Sequence, residues 1–314
     1  MKNTFQRVEE QDHSLSALFE YHNEKEKHSL THNTLSHYKT SQQYLLKFVM
    51  KCYRKKDVCL KEINYKFLTD FENFLRDHKP EGHKKAIGNS GAMTHLIRLK
   101  KMINLAIKLE WMQKSPFLSY KIKIQHEQRI CLTPIELSNL EKKIFTLYRL
   151  DYVRDLFVFC CYTGLAYIDA MNLTPQSLSD GIDGNKWIKT HRQKTNTPVN
   201  TPLLPKALKL LKKYEDDPRA ISNGKLFPVM SNQKMISYLK EIADLCGIDK
   251  NLTFHLARHT FATTVTLSNG VPIETVSKML GHTKIATTQI YAKVLERKVS
   301  DDMERLRKKL GKLS

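Results

Sequence analysis

The sequence predicts a mainly α protein in two parts: an all-helical N-terminal domain, then a mostly helical domain with one small antiparallel β-sheet. Three observations predict this. Apolar residues recur at helical spacing through most of the 314 residues. No alternating pattern interrupts residues 1–115, and alternation appears only around 186–204. A chain of this length suggests about two domains of roughly 100–200 residues each.

The elements follow in order. Residues 34–50 place Leu35, Tyr38, Leu45, Leu46 and Val49 on a helical period, and residues 65–77 do the same with Phe67, Leu68, Phe71, Phe74 and Leu75. In a third helix, from about Ser90 to Trp111, Leu96, Leu99, Ile103, Ala106 and Ile107 share one arc. Arg98, Lys101 and Lys108 share the opposite arc. The stretch 114–134 is basic and aperiodic, with Pro116 and Pro134 near its two ends, which suits a linker over 114–131 able to lie along a phosphate backbone. Thr133-Pro134-Ile135-Glu136 then has the form of an N-cap, a Pro at N1 and an acidic first turn, and helices follow to about Leu165.

Trp187-Ile188 and Val199-x-Thr201-x-Leu203 alternate around Thr195-Asn196-Thr197, which predicts a β-hairpin. Helical patterns resume at 206–215, 232–246, 255–269, 272–280 and 284–309, with Gly270 before Pro272, and Gly281, marking two helix ends. The last pattern carries Leu295, Val299, Met303, Leu306 and Leu310 on one stripe, suited to its own domain or to a neighbouring protomer. The expected layout is a tail over 1–14, a helical domain over 15–113, a linker over 114–131 and a second domain over 132–314.

Composition narrows the function. Lys and Arg outnumber Asp and Glu by 52 to 32, a net +20, and the pI is near 9.6. That excess points to a polyanionic partner, nucleic acid before an anionic membrane. At 41% hydrophobic residues the chain can build real cores, and 11 Gly with 10 Pro exclude collagen-like or low-complexity classes. No apolar run approaches the ~20 residues that span a bilayer, and residues 1–14 lack the apolar core of a signal peptide. A soluble, cytoplasmic protein is expected. The six cysteines form no C-x-x-C pair and read as reduced core or near-core thiols rather than a disulfide or zinc framework.

Three segments carry chemistry. His255 and Arg258 in TFHLARHTF share a helical face, a weak signal alone. LGHTKIATTQIYAKV places His282 after Gly281 and Tyr291 nine residues on. CCYTGLAYIDAMNL breaks a buried helix at Thr163-Gly164 and resumes with Asp169. In combination, and with a lysine-bearing hairpin between them, these segments resemble the tyrosine recombinase (phage-type integrase) family from about residue 15 to 314.

The resemblance implies an all-helical core-binding domain followed by a catalytic domain, and site-specific DNA breakage and rejoining through a 3′-phosphotyrosine without metal, ATP or other cofactor. It implies Tyr291 as nucleophile, Lys194 as general acid for the leaving 5′ oxygen, and His255, Arg258 and His282 around the phosphate. It also implies Asp169 as a supporting carboxylate. The chemistry asks for such groups: an oxygen nucleophile, a proton donor for the leaving alkoxide, and cations on the phosphorane. Duplex DNA is the expected partner, clamped between the domains with Arg98, Lys101 and Lys108 facing it. Other protomers of a tetrameric synapse and accessory DNA-bending or directionality proteins are further expected partners, with no membrane. The expected location is the bacterial cytoplasm, on the nucleoid when bound. Family members that bind arm sites carry a further N-terminal domain, which is expected to be missing or truncated here.

One position departs from the family. Its signature has an arginine directly after T-G-L, and here that residue is Ala166. A branch on Bacteroidetes mobile elements is similar in lacking it. Losing one such donor should cost about 3–4 kcal/mol of transition-state stabilisation. Arg192 is the candidate replacement: two residues before Lys194, it would share a face with it on a strand. The alternatives are a weakened relative acting as a sequence-specific DNA-binding protein, which Ala166 favours, and a type IB topoisomerase, which the spacing from L-G-H to Tyr291 fits less well.

Overall fold

A computed structural model of the chain describes residues 13–80, 82, 85–125, 129–292, 300, 303–304, 306–308 and 310–311. The chain forms two compact units, residues 1–127 and 128–314. Both are helical, with one small antiparallel sheet in the second, as the sequence predicts.

The first unit packs α1 (Leu15–Lys25), α2 (His32–Phe48), α3 (Tyr65–Asp77) and α4 (Asn89–Lys108). Side-chain oxygens of Ser14, Thr31 and Asn64 accept the N–H of Ala17, Thr34 and Phe67, which relieves unpaired donors in the first turns of α1 to α3. The apolar arc of α3 is buried, and Phe48 of α2 meets Phe67, Phe71 and Phe74 at 5.1 to 5.5 Å between ring centroids. Each such buried side chain contributes roughly 1.5–3 kcal/mol. Helix α1, which the periods above do not name, adds Leu15, Leu18 and Phe19 to this core. Phe117 and Tyr120, in the stretch expected to be linker, are also buried there, and the Tyr120 hydroxyl donates to Glu72.

The second unit is built around α6 (Tyr148–Thr163), buried along nearly its whole length, with α5 (Pro134–Lys142) packed against it. Thr133 and Glu136 form a reciprocal capping box on α5. After α7 (Tyr167–Met171) come β1 (Leu178–Asp180), β2 (Lys186–His191) and β3 (Pro198–Pro202), in that order across one antiparallel sheet. The β2–β3 register runs from Trp187 opposite Pro202 to His191 opposite Pro198. Strand β1 is one more than alternation predicts; three residues are too few to show a period. Helices α8 (Pro205–Tyr214), α9 (Pro218–Ile221) and α10 (Asn232–Leu245) follow, and α8 and α10 pack on α6.

The helix expected over 255–269 is not uniform. It is α11 (Phe254–Thr260), then a wider π turn over Phe261–Thr266 and a tight turn over Leu267–Asn269. The Thr266 hydroxyl donates to the carbonyls of Phe261 and Ala262 at 2.9 and 2.8 Å, and this competes with regular α spacing. The chain then forms α12 (Ile273–Met279) and α13 (Ala286–Ala292). Of the expected C-terminal stripe, Leu295 and Val299 lie outside the described residues, and Met303, Leu306 and Leu310 are exposed. Among the described residues no helix is long and apolar enough to cross a membrane.

Candidate active site

Helix α6 ends at Gly164, whose φ of +70° lies in the left-handed region. A Cβ there would sit 2.4 Å from the Phe261 ring, so close approach and backbone conformation both require glycine. The turn aims the Gly164 carbonyl at α11, where Arg258 donates to it at 2.6 Å. A second guanidinium nitrogen donates to the Leu280 carbonyl and lies 3.3 Å from His282 Nε2. Arg258 thus ties the end of α6, α11 and the end of α12 together. It is 4% exposed, and burial, then the field of Arg192, brings its pKa down to about 10, so it stays charged at neutral pH.

Because arginine only donates, His282 Nε2 is the acceptor in that contact. Nδ1 then carries the proton and donates to the Thr288 hydroxyl of α13 at 2.8 Å. Burial, Arg258 and Arg192 lower the His282 pKa to about 4, so the ring is neutral at physiological pH.

Tyr291, on α13, is 3% exposed and its hydroxyl lies 2.9 Å from His259 Nδ1. Burial raises its pKa, and the fields of Arg258, Arg129 and Arg192 oppose the rise. His259 is 5% exposed; burial, then His255, Arg129 and Arg258, hold its pKa near 3. The exposed His255 ring sits edge-on to His259 with centroids 4.1 Å apart. Desolvation, then Arg129, Arg258, Arg192 and Lys194, lower the pKa of His255.

The β2–β3 turn brings the other cations. Strand β2 ends at His191, so Arg192 and Lys194 lie in the turn and the strand pleat does not align them. The turn closes through Arg192 N–H to Thr197 C=O at 2.8 Å and Asn196 N–H to Arg192 C=O at 2.7 Å. Asp169, buried on α7, accepts the Gln193 N–H at 3.0 Å and so holds the turn to the break after α6. The half-buried Arg192 has its Cδ 3.8 Å from where a Gly281 Cβ would be, and its buried Nε has no hydrogen-bond partner among the described residues. Lys194 is exposed at the tip. Ala166, the N-cap residue of α7, contributes no cation.

His255, Arg258, His282, Tyr291, Asp169, Arg192 and Lys194 therefore gather in the second unit. Arg98, Lys101 and Lys108 belong to the first. Arg98 is half-buried and donates to the Ser41 hydroxyl at 3.1 Å, whereas Lys101 and Lys108 are exposed. Sequence reasoning missed Arg129, His259 and Thr288. His259 was visible as a histidine one residue past Arg258; nothing local distinguished Arg129 or Thr288. Among the described residues no three His, Cys, Asp or Glu side chains cluster as a metal site would need.

Residues 14–124 match the phage integrase SAM-like domain, and residues 132–298 match the phage integrase family. The chain is 24% identical over 281 residues to the tyrosine recombinase XerC of Agrobacterium fabrum, covering 84% of this chain and 85% of that protein. Four other curated tyrosine recombinases are matched over only 24% to 58% of their length, and that of Agathobacter rectalis over 79%. In fold the chain is similar to lambda integrase residues 75–356 in a dimer bound to a COC′ core site, with TM-score 0.70, 16% identity and coverage of 89% of this chain and 95% of that one. It is also similar to a lambda integrase tetramer bound to a Holliday junction, with TM-score 0.66, 14% identity and coverage of 87% and 78%. The catalytic-family match spans more than half the chain, so this protein belongs to the phage integrase family.

Proposed function

We propose that this protein is a site-specific DNA recombinase that breaks and rejoins duplex DNA through a 3′-phosphotyrosine. The observation that carries the reading is that Tyr291, Arg258 and His282 gather with the turn bearing Arg192 and Lys194. Tyr291 Oη attacks the scissile phosphorus as the bond to the 5′ oxygen breaks, and Lys194 Nζ protonates that oxygen. Arg258 and His255 donate to the non-bridging oxygens, whose charge grows in the phosphorane, and His282 holds Arg258 beside them. The phosphotyrosine ester keeps the energy of the broken bond, so attack by a 5′-hydroxyl reseals the strand without ATP. Asp169 acts by holding the turn rather than by touching the phosphate.

Arg192 takes the role that an arginine at Ala166 would have. Its unpaired buried Nε and its place beside Gly281 support this, as does its field on Arg258, His255, His282 and Tyr291. A guanidinium with an unused donor among such groups suits a phosphate oxygen. The same substitution supports kinship with the mobile-element branch that lacks this arginine. Lys101 and Lys108, exposed on α4, are assigned to DNA backbone contact, Arg98 less fully because of its bond to Ser41. Strand exchange joins two duplexes, so we assign the working form to a tetrameric synapse, in the bacterial cytoplasm and on DNA.

Ala166 favours a second reading, a DNA-binding relative without strand cleavage. Incubation with nicked suicide duplexes separates the two. The recombinase reading expects a covalent protein–DNA adduct; sequence-specific binding without adduct supports the second.

A further inference from the structure

We propose that His259 is a catalytic residue of this site: it holds the Tyr291 hydroxyl in place and accepts its proton during attack. The inference rests on the reading of Tyr291 as nucleophile. Among the described residues, His259 Nδ1 is the hydrogen-bond partner of Tyr291 Oη, at 2.9 Å, and both side chains are nearly sealed from solvent. The rings meet at 5.1 Å between centroids and 55°. His255, the other histidine on α11, makes ring contact with His259. A proton leaving Tyr291 inside this pocket therefore has His259 Nδ1 as its adjacent acceptor.

The direction of the hydrogen bond follows from the chemistry of the pair. A neutral imidazole has one N–H and one lone pair. The charged groups facing His259 are Arg258 and His255 on its own helix and Arg129 from the segment before α5, with Tyr291 opposite. Burial first, then these neighbours, keep the ring neutral, and a tyrosine donating to Nδ1 beside Arg258 and Arg129 is stabilised as electron density shifts towards its oxygen. In the step itself the Oη–H bond breaks, the proton binds the Nδ1 lone pair, and the Oη electron pair forms the bond to phosphorus. The P–O5′ bond breaks, and Lys194 supplies the proton that O5′ needs. The phosphodiester carries one negative charge before and after the step, and the positive charge passes from Lys194 to His259. Before DNA binds, burial and then the surrounding charges make His259 a weak base. An anionic phosphate beside Arg258 offsets the charge part, so the base gains strength with substrate in place.

The test uses the full chain and a cleavable duplex recovered from a pool of nicked duplexes with randomised centres by covalent capture. Capture by wild type and not by Tyr291→Phe establishes the nucleophile first; capture by Tyr291→Phe would overturn that reading whatever His259 does. The duplex is then made with oxygen or sulfur at the 5′ bridging position of the scissile phosphate. A thiolate leaves without a proton donor, so Lys194→Ala should regain cleavage on the sulfur duplex. His259→Asn, whose Oδ1 can still accept near the Nδ1 position, should bind the duplex normally and cleave 10²–10⁴-fold more slowly on both duplexes. His259→Ala, with room for a small base, should regain part of its cleavage when imidazole is added. Wild-type cleavage by His259→Asn would overturn the proton-acceptor role, and so would rescue of His259→Asn by the sulfur duplex.

Discussion

The Arg258 guanidinium and the Gly164 carbonyl oxygen are 2.6 Å apart, although 94 residues separate them in the chain. The break in α6 thus has a purpose beyond ending a helix. It turns a carbonyl towards a buried cation and so helps fix the Arg258 guanidinium.

Gly164→Ala should therefore damage both stability and site. Holding alanine at that φ costs about 1–3 kcal/mol before the Phe261 ring has moved. For a domain of this size the melting temperature should fall by roughly 2–12 °C. Thermal denaturation followed by circular dichroism checks this, and a variant as stable as wild type would show that the turn tolerates a side chain.

Stability should also fall with acid in a defined window. His95, buried in the first unit against Ser41, has a folded-state pKa of about 4, lowered by burial and then by Arg98; His282 is likewise near 4. Unfolded, these rings titrate near 6.5. Between about 4 and 6.5 the unfolded chain binds more protons, so stability rises with pH there and is lost as pH falls from 6.5 towards 4. Urea midpoints measured across that range should decline, and His95→Gln should flatten part of the decline.

Much of this arrangement was legible in the residues, and the reasons differ by element. The buried arcs of α3 and α4 showed because each helix presents one apolar stripe to one core. The candidate site residues showed because T-G-L and L-G-H mark helix ends and H-x-x-R places two polar groups on one helical face. Strand pairing in a three-residue strand leaves no period, so β1 was silent. The placement of Arg192 was mistaken in its reason: it faces the site because the turn folds back on Asp169, not because a strand alternates. His259 was visible beside Arg258, but its role was not, since its partner lies 32 residues away on another helix.

Arg192→Ala should reduce cleavage about 10²–10³-fold with little change in DNA affinity, the effect of losing one transition-state donor. Arg192→Lys should recover only part, because a point charge lacks the bidentate fork. Adding Ala166→Arg to Arg192→Ala should restore some activity if both positions reach the same phosphate oxygens. Cleavage at wild-type rate by Arg192→Ala would remove it from the site.

On α4, Lys101→Ala and Lys108→Ala should weaken binding to all duplex sequences alike. Each should lower the slope of log affinity against log salt by about 0.9. Arg98→Ala should differ by also lowering thermal stability, since it leaves Ser41 and His95 without their neighbour. An unchanged slope in the lysine variants would mark that face as solvated surface.

The central claim is that Tyr291 becomes covalently joined to DNA, and one comparison tests it most directly. Wild type and Tyr291→Phe are incubated with the same nicked suicide duplex pool, denatured, and resolved for protein-linked DNA. Removing one hydroxyl leaves the ring to pack, so the account predicts equal duplex binding, an adduct for wild type and none for Tyr291→Phe. An adduct of equal yield from Tyr291→Phe would contradict it.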